Sequence, residues 1–418
     1  MTPRLALGWP RLSPVLVAFT IFILAMSMAP TFAGPAVAPT EICDNCFDDD
    51  GNTFTDREDQ PVCTAPANGA LAGLVDESAA KAALKCQKTI EKASTKFALS
   101  KLGHLDKCLN LAFACVQLKN GDDTCFDKPK TACTKQIAAI ATDEAKLRAT
   151  IAKACDESQG ASLPFADVLA LTGLGYMAEE DGTPAFRPCD HTFSSFTDVA
   201  DCIVTRHECG VERILLAAAP RVGEMLMKLD HDPATEFPCL VDTVTNSGSD
   251  GGGSGLSSDA ATRKTAVKCQ AAIGKAAVTF AAAGAKVVHK CTDDAAACVQ
   301  MAVPADRDAC GAKAGPKCQA AIDKIKDVTL STLLGAVVKK CGPLSLVDLN
   351  SSAGLGFGAT AARCSQLPPK RPDSDPRVRA LQCLAGRHFC EDVQMLEREV
   401  PRLREYGDFF HISFKEGT

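Results

Sequence analysis

The residues that most clearly suggest a chemical role lie in one acidic run of the N-terminal region, residues 48–59. This run reads DDDGNTFTDRED. Counted from its first aspartate, side-chain oxygens stand at positions 1, 3, 5, 9 and 12, and a backbone carbonyl stands at position 7. Calcium takes six to eight hard oxygen ligands in a flexible cage, so this spacing predicts a calcium loop. The predicted ligands are Asp48, Asp50, Asn52, Phe54 (through its carbonyl), Asp56 and Asp59.

This acidic segment resembles the aspartate-rich loops of dockerin and thrombospondin type 3 modules, and the cysteine-flanked acidic loops of some bacterial secreted proteins. The resemblance implies calcium as the cofactor. Thr53 stands where a glycine usually makes the sharp turn, and Asp59 replaces the usual bidentate glutamate. Because a β-branched residue is strained at positive φ, we expect weak affinity, suited to roughly millimolar extracellular calcium. The alternative is an acidic linker exposed to solvent.

Two other motifs invite chemical readings. Cys43 and Cys46 have CxxC spacing, but Phe47 follows where covalent haem attachment needs a histidine, and no βαβ pattern supports a redox site. Structural disulfides are therefore the favoured reading. The segment at 173–178 superficially resembles a dinucleotide-binding loop, but no strand precedes it, so a turn or close helix packing is favoured.

A pair of Arg-His dipeptides, Arg206-His207 and Arg387-His388, recurs just before a cysteine. The favoured interpretation is a helix-surface Arg/His beside a structural disulfide. The alternative is a secreted enzyme or redox protein whose site combines residues distant in sequence, with these four residues as the best candidates. The sequence contains no HExxH, GxSxG or P-loop motif. It therefore favours a protein that is not an enzyme and assigns no catalytic residue.

The 22 cysteines largely fall into the same order twice, roughly 180 residues apart. Much of the surrounding text recurs with them: KCQ at 85–87 returns at 268–270, ACVQ at 114–117 returns at 297–300, and the Pro-Arg at 220–221 returns at 401–402. Repetition at a fixed period is typical of tandem repeats, and this cysteine density is typical of exported, cross-linked proteins. The pattern predicts a duplicated, disulfide-stabilised chain.

The spacing of these cysteines also predicts their pairing. Cys86 and Cys108 lie 22 residues apart, as do Cys133 and Cys155. This is about six helical turns, so both cysteines of one helix share a face but are too far apart to bond each other. Two antiparallel helices with matching intervals can bond at both ends. The predicted pairs are Cys86–Cys155, Cys108–Cys133, Cys115–Cys125, Cys269–Cys341, Cys291–Cys318 and Cys298–Cys310.

The spacing leaves the other cysteines open. Those of the N-terminal module form an odd set, so one of them is expected to pair with the second repeat. No partner is assigned to Cys43, Cys46, Cys63, Cys189, Cys202, Cys209, Cys239, Cys364, Cys383 or Cys390.

The chain divides by composition into six segments. Residues 1–33 have two arginines before an apolar run and small residues near Ala33, as in a signal peptide. No other stretch is expected to reach membrane-spanning length. The boundaries predicted are 1–33 signal peptide, 34–63 acidic calcium-loop module, 64–80 connector, 81–243 repeat 1, 244–261 Gly/Ser-rich linker and 262–418 repeat 2. We expect the linker to tether independently folded units.

Both repeats are predicted to be helical, which makes the fold class all-α: disulfide-rich helical hairpins or bundles in two tandem domains. Alanine, lysine, leucine and glutamine dominate, and apolar residues recur at three- and four-residue steps. Pro129 and Pro316 are expected in the first turns of new helices. Pro220 and Pro401 are expected to end or kink the helix before them.

These patterns together predict a secreted or periplasmic structural or interaction protein of the cell envelope or extracellular space. The net charge is −6, and lysine-rich segments at 81–153 and 263–340 are locally basic. Those segments make a polyanion-binding module a further alternative. Partners would be another envelope or extracellular protein, or a polyanion, with no specific nucleic acid. We expect no membrane span once the signal is removed.

Overall fold

The structure is a computed structural model that describes residues 72–176, 193–240, 254–300, 304–364, 386–388, 391 and 393–412. No strand occurs in these residues, so the fold is all-α, as predicted. A π-helical turn at Ile325–Thr329 separates two of the helices, and residues 393–399 are also helical. In chain order the helices are α1 Glu77–Leu118, α2 Asp127–Cys155, α3 Phe165–Leu169, α4 Phe196–Ala218, α5 Val222–Lys228, α6 Pro233–Glu236, α7 Ala260–Val299, α8 Pro304–Lys324, α9 Leu330–Cys341, α10 Leu346–Asn350, α11 Gly358–Cys364 and α12 Leu403–Phe410.

The two longest helices, α1 and α7, begin in the same way. The Asp76 carboxylate accepts a hydrogen bond from the Ala79 backbone N–H at 2.7 Å, and Asp259 caps the first turn of α7 through Ala261 at 2.8 Å. An aspartate at this position satisfies backbone donors that have no partner within the helix. The apolar periodicity predicts one face of each helix, Leu84, Ile90, Phe97, Leu102 and Leu105 in α1 and Ile273, Phe280, Val287 and Val288 in α7. Leu84 and Val287 are partly buried and the others are buried.

Disulfides fasten each long helix to its antiparallel neighbours. Seven bridges are present among the described residues, with Cα–Cα distances of 4.7–5.8 Å. Six of them join the pairs that the helix spacing predicts. The seventh joins Cys209 on α4 to Cys239, for which the sequence assigned no partner. The six pairs are Cys86–Cys155, Cys108–Cys133, Cys115–Cys125, Cys269–Cys341, Cys291–Cys318 and Cys298–Cys310.

Three of the four prolines act as predicted. Pro129 lies in the first turn of α2, Pro220 follows the end of α4, and Pro401 follows the helical residues 393–399. The expectation for Pro316 is wrong, because this proline lies inside α8. That helix instead begins at Pro304, where the fixed φ of proline suits a first turn.

The two repeats share the largest of the hydrophobic clusters among the described residues. The largest buried cluster contains residues of both, including Leu105 and Ile203 from the first and Ile273 and Leu355 from the second. The expectation of independently folded units on a tether is therefore wrong. Its physical reason is that the apolar stripes of α1 and α7 pack against each other, which the internal pattern of either helix does not reveal.

Two glutamines that the repetition places at matching positions close the seam between the repeats. Gln117, near the end of α1, donates from Nε2 to the Ala353 carbonyl at 2.8 Å, and its Oε1 accepts from the Leu256 backbone N–H at 3.0 Å. Gln300, just after α7, makes the equivalent pair of hydrogen bonds in the opposite direction, from the second repeat to the first repeat and the segment before it. Its Nε2 donates to the Thr172 carbonyl at 3.0 Å, and its Oε1 accepts from the Leu74 N–H at 2.9 Å.

Two arginines at matching positions make the same kind of crossed contact. Arg221 of the first repeat donates to the Gly354 and Ser254 carbonyls at 2.8 and 3.0 Å, and Arg402 of the second donates to the Gly173 carbonyl at 3.3 Å. We call these two arginines and the two glutamines the clasp. Each member holds backbone of the other repeat, or the segment that leads into it.

A glycine loop receives each clasp arginine. Gly175 and Gly356 have φ of +84° and +82°, a backbone conformation that residues with a side chain rarely adopt. A Cβ added at Gly356 would lie 2.8 Å from Cγ of Arg221, and one at Gly175 would lie 2.8 Å from Cγ of Arg402. The recurring Gly-Leu-Gly text is therefore a turn in close helix packing, as favoured from the sequence.

One expectation about hydropathy is wrong. Helix α7 is long and apolar enough to cross a membrane by length and composition, although no other stretch was expected to reach that length. Its apolarity has a second explanation in the fold. Three of its cysteines form disulfides, and its apolar face packs against α1 and α4.

Candidate functional site

Among the described residues, several buried or mostly buried ionisable groups lie together at the seam between the two repeats. We call this set the seam cluster: Glu91 on α1, His207 on α4, His289 on α7 and Glu399 in the helical stretch 393–399. Nε2 of His207 lies 2.6 Å from Oε1 of Glu399, and Nε2 of His289 lies 2.7 Å from Oε2 of the same carboxylate. One carboxylate therefore bridges two imidazole rings, one from each repeat.

The His207 ring is fixed from both sides. Its Nδ1 lies 2.6 Å from the Ile203 carbonyl oxygen, one turn earlier on α4. A carbonyl can only accept, so Nδ1 donates to it. The opposite nitrogen then donates to the Glu399 carboxylate, which leaves both ring nitrogens paired with oxygen acceptors.

Glu91 completes the cluster and reaches across the seam. Its Oε1 accepts from Nε2 of Gln87 and lies 3.0 Å from the Thr292 hydroxyl of the second repeat. Burial raises the pKa of Glu91 to about 8, against the smaller opposing effect of His289. Glu91 is therefore mostly a neutral carboxylic acid at pH 7.

The charges on Glu399 and His289 stabilise each other. Burial alone would raise the pKa of Glu399, but the adjacent His289 and His207 outweigh it and lower that pKa. Burial alone would lower the pKa of His289, but the Glu399 carboxylate outweighs it and raises that pKa. Each group therefore favours the charged form of the other, and this ion pair lies within the second repeat.

The cluster has little room for a substrate. A cavity of about 20 Å³ lies against it, lined by His207 and Glu399 together with apolar side chains such as Leu102 and Met395. This volume suffices for about one water molecule. The His207 and Glu399 side chains are only 1% and 2% exposed. The arrangement can hold and exchange protons, and it offers no space for a reacting molecule.

A second buried ion pair lies within the first repeat. Nζ of Lys101 lies 2.7 Å from Oε1 of Glu212 and 3.2 Å from Oε1 of Glu208. The other oxygen of Glu212 accepts from the Cys239 N–H at 3.0 Å. Burial raises the pKa of Glu212, although Lys101 opposes this. These contacts tie α1, α4 and the 238–240 turn together.

The structure corrects the interpretation of the histidines that recur in the sequence. His207 and His388 are not on a helix surface, since they are 0% and 5% exposed. Burial lowers the pKa of His388 to about 4. Of the two, His207 joins residues distant in sequence, as the alternative interpretation requires.

Sequence reasoning missed Glu91, His289 and Glu399. The available signal was weak: Glu91 directly follows the buried Ile90, and Thr292 and His289 are spaced three apart on α7. A polar residue on an apolar helical face is a recognisable signal, but its partners come from other helices.

No metal centre is found in the part of the chain that the structure describes, where no three His, Cys, Asp or Glu residues are arranged to hold an ion. The predicted calcium ligands fall outside the described residues. They are Asp48, Asp50, Asn52, Phe54, Asp56 and Asp59.

Comparison with known proteins gives no relative from which to read a function. No protein-family model, curated protein or solved structure matches this chain.

Proposed function

We propose that this protein is an exported structural or interaction protein of the cell envelope or extracellular space. The observation that carries the proposal is the set of seven disulfides in the described part of the chain. Disulfides persist in oxidising compartments such as the periplasm and the extracellular space, and they are rare in the cytosol. An exported protein benefits from such cross-links, because they restrict the unfolded chain.

The seam cluster favours this role over catalysis. It is the most reactive-looking set of side chains described, yet its cavity has room for about one water molecule. Its two inner side chains, His207 and Glu399, are almost fully buried. A hydrolase or redox enzyme needs its reactive atom within reach of a substrate.

We further infer that the two repeats arose by tandem duplication. The clasp supports this inference, because residues at matching positions make matching crossed contacts. The proposed function also includes calcium binding by the acidic loop at 48–59. In that arrangement the loop module would be attached to a rigid helical body that presents its surfaces to partners.

The experiment compares the exported protein with a matched form that lacks residues 1–33 and stays in the reducing cytosol. Intact-mass analysis after thiol alkylation under denaturing conditions counts free thiols in each form. The expected result is no alkylated cysteine in the exported protein and extensive alkylation in the retained one. Equal and extensive alkylation of both forms would contradict the proposal.

A further inference from the structure

The seam cluster links the repeats through groups whose charges depend on pH. Glu91 and His207 belong to the first repeat, and His289 and Glu399 belong to the second. The contact between His207 and Glu399 crosses the seam at 2.6 Å, and the Thr95 hydroxyl lies 3.3 Å from Nε2 of His289. The stability of the contact between the two repeats therefore depends on the protonation of these groups as well as on apolar packing.

We propose that Glu91, His207, His289 and Glu399 form a proton-dependent latch, which holds the two repeats together most strongly in a weakly acidic medium and loosens the seam both in stronger acid and as the medium becomes alkaline. The latch is a property of the fold and does not depend on the proposed function. It would make the packing of the two repeats responsive to the medium around the protein.

The acid side follows from Glu399. Its carboxylate holds both rings while it is charged. Protonation would leave the charged His289 ring without this negative partner, and Nε2 of His207 would face a neutral acid in place of a carboxylate. Since the pKa of Glu399 is lowered in the folded state, its stabilisation is present above the ordinary value of 4.5 and is lost as pH falls through the folded value.

The alkaline side follows from His289 and Glu91. Both pKa values are raised in the folded protein. The His289 contribution is therefore complete below its ordinary pKa of 6.5 and is lost as pH rises through the folded value. Glu91 acts in the same direction between 4.5 and about 8. Once both have lost their protons, the buried carboxylates of Glu91 and Glu399 repel each other.

Other charged groups face the latch and are part of its electrostatics. Asp293 on α7 lies 3.7 Å from Nζ of Lys88 on α1, and Lys92 also acts on it. On α12, burial and, to a smaller extent, the charge of Glu91 raise the pKa of the Tyr406 hydroxyl to about 12. Burial also lowers the pKa of His388, to about 4, so protonation of His388 in acid would destabilise the folded protein as well. The test must therefore distinguish the effect of His388 from that of Glu399.

The latch occurs only once in the pair of repeats. At the positions that the repetition matches to Glu91 and His289, the other repeat carries Gly274 and Asp106. A Cβ added at Gly274 would lie 2.1 Å from Oδ1 of Asp106, so this site has no space for a glutamate. The four latch groups are therefore a specific feature of one side of the seam.

The test uses the full oxidised protein from pH 2 to pH 9, with hydrogen exchange as the readout. The probes are the backbone amides of Leu74 and Leu256, which bond across the seam to the clasp glutamines. The reference is the Asp156 amide, which bonds to Ala152 within the first repeat. Protection factors correct for the intrinsic pH dependence of exchange.

The latch variants are Glu91→Gln and Glu399→Gln, which keep the side-chain size and remove the titration. The control variant is His104→Gln. His104 bonds to Gln136 within the first repeat, at 2.6 Å and away from the seam. A further variant, His388→Asn, separates the other buried histidine from the acid response.

In the wild type we expect protection of the two seam amides to be greatest near about pH 5, while the reference changes less. It should fall about tenfold or more from there toward pH 9, the alkaline fall, and again below about pH 4, the acid fall. Glu91→Gln should remove most of the alkaline fall. Glu399→Gln should remove the acid fall and lower the maximum. His104→Gln should match the wild type.

Either of two results would overturn the proposal. One is an unchanged alkaline fall in Glu91→Gln, which keeps the test decisive even if Glu399→Gln does not fold. The other is an acid fall that persists in Glu399→Gln and disappears in His388→Asn.

Discussion

Replacing Arg221 by methionine should open one side of the clasp. The Arg221 side chain is 5% exposed and donates to both oxygens of Glu224 at 2.8 and 2.9 Å. It also donates to the Ala353, Gly354 and Ser254 carbonyls at 2.8–3.0 Å. Methionine fills most of the volume of the arginine stem but donates none of these hydrogen bonds.

The magnitude follows from what the substitution leaves behind. Glu224 would remain buried without its ion partner, and three carbonyl oxygens would lose a charged donor. Breaking a buried ion pair costs roughly 3–5 kcal/mol, most of it from the uncompensated charge. The double variant Arg221→Met/Glu224→Gln should recover part of this loss, because it removes the stranded carboxylate as well.

The assay is guanidinium unfolding of the oxidised protein, followed by circular dichroism. The matched control is Lys130→Met, which removes a 2.7 Å ion pair with the largely exposed Asp230 and should cost about 0–1 kcal/mol. If Arg221→Met costs no more than this control, the clasp does not stabilise the seam and the reasoning fails.

Three further predictions concern the cross-links, the buried acid and the calcium loop. Replacing Cys86 and Cys155 by alanine should lower the free energy of unfolding by about 4 kcal/mol in a denaturant titration, because the bridge closes a sequence separation of 69 residues. Glu91→Gln should raise the free energy of unfolding by roughly 3 kcal/mol at pH 7 and leave it nearly unchanged at pH 4, because the unfolded chain loses this proton near pH 4.5 and the folded one near 8. Equal effects at the two pH values in the same titration would contradict this. Asp50→Asn should weaken calcium binding at least severalfold in titration calorimetry, since affinity depends on ligand charge; unchanged heats would remove Asp50 from the ligand set.

The local architecture was predictable because its signals are local. Matching 22-residue intervals on two helices fix which sulfurs can meet, and the intervals hold for Cys86, Cys108, Cys133 and Cys155. Apolar periodicity likewise identified the buried face of α1. These inferences need only the geometry of a helix and the reach of a disulfide.

The seam was not predictable by the same means. His207 and Glu399 lie 192 residues apart, and nothing in the sequence around either one specifies the other. The surface position assigned to His207 was wrong because a histidine beside an arginine is usually solvated, whereas the packing of α4 against the second repeat buries this one. Repetition did identify Gln117 and Arg221 as recurring residues, but their crossed contacts required the packed structure.

The central claim is that sulfur–sulfur bonds lock paired helices of an exported protein. A non-reducing peptide map of the mature protein, isolated from the medium or periplasm of its own cells, tests it most directly. We predict recovery of Cys86 with Cys155, Cys269 with Cys341 and Cys209 with Cys239, with no alkylated peptide from these positions. Recovery of the same peptides as free thiols, or of Cys86 bonded to Cys108 along one helix, would contradict the account.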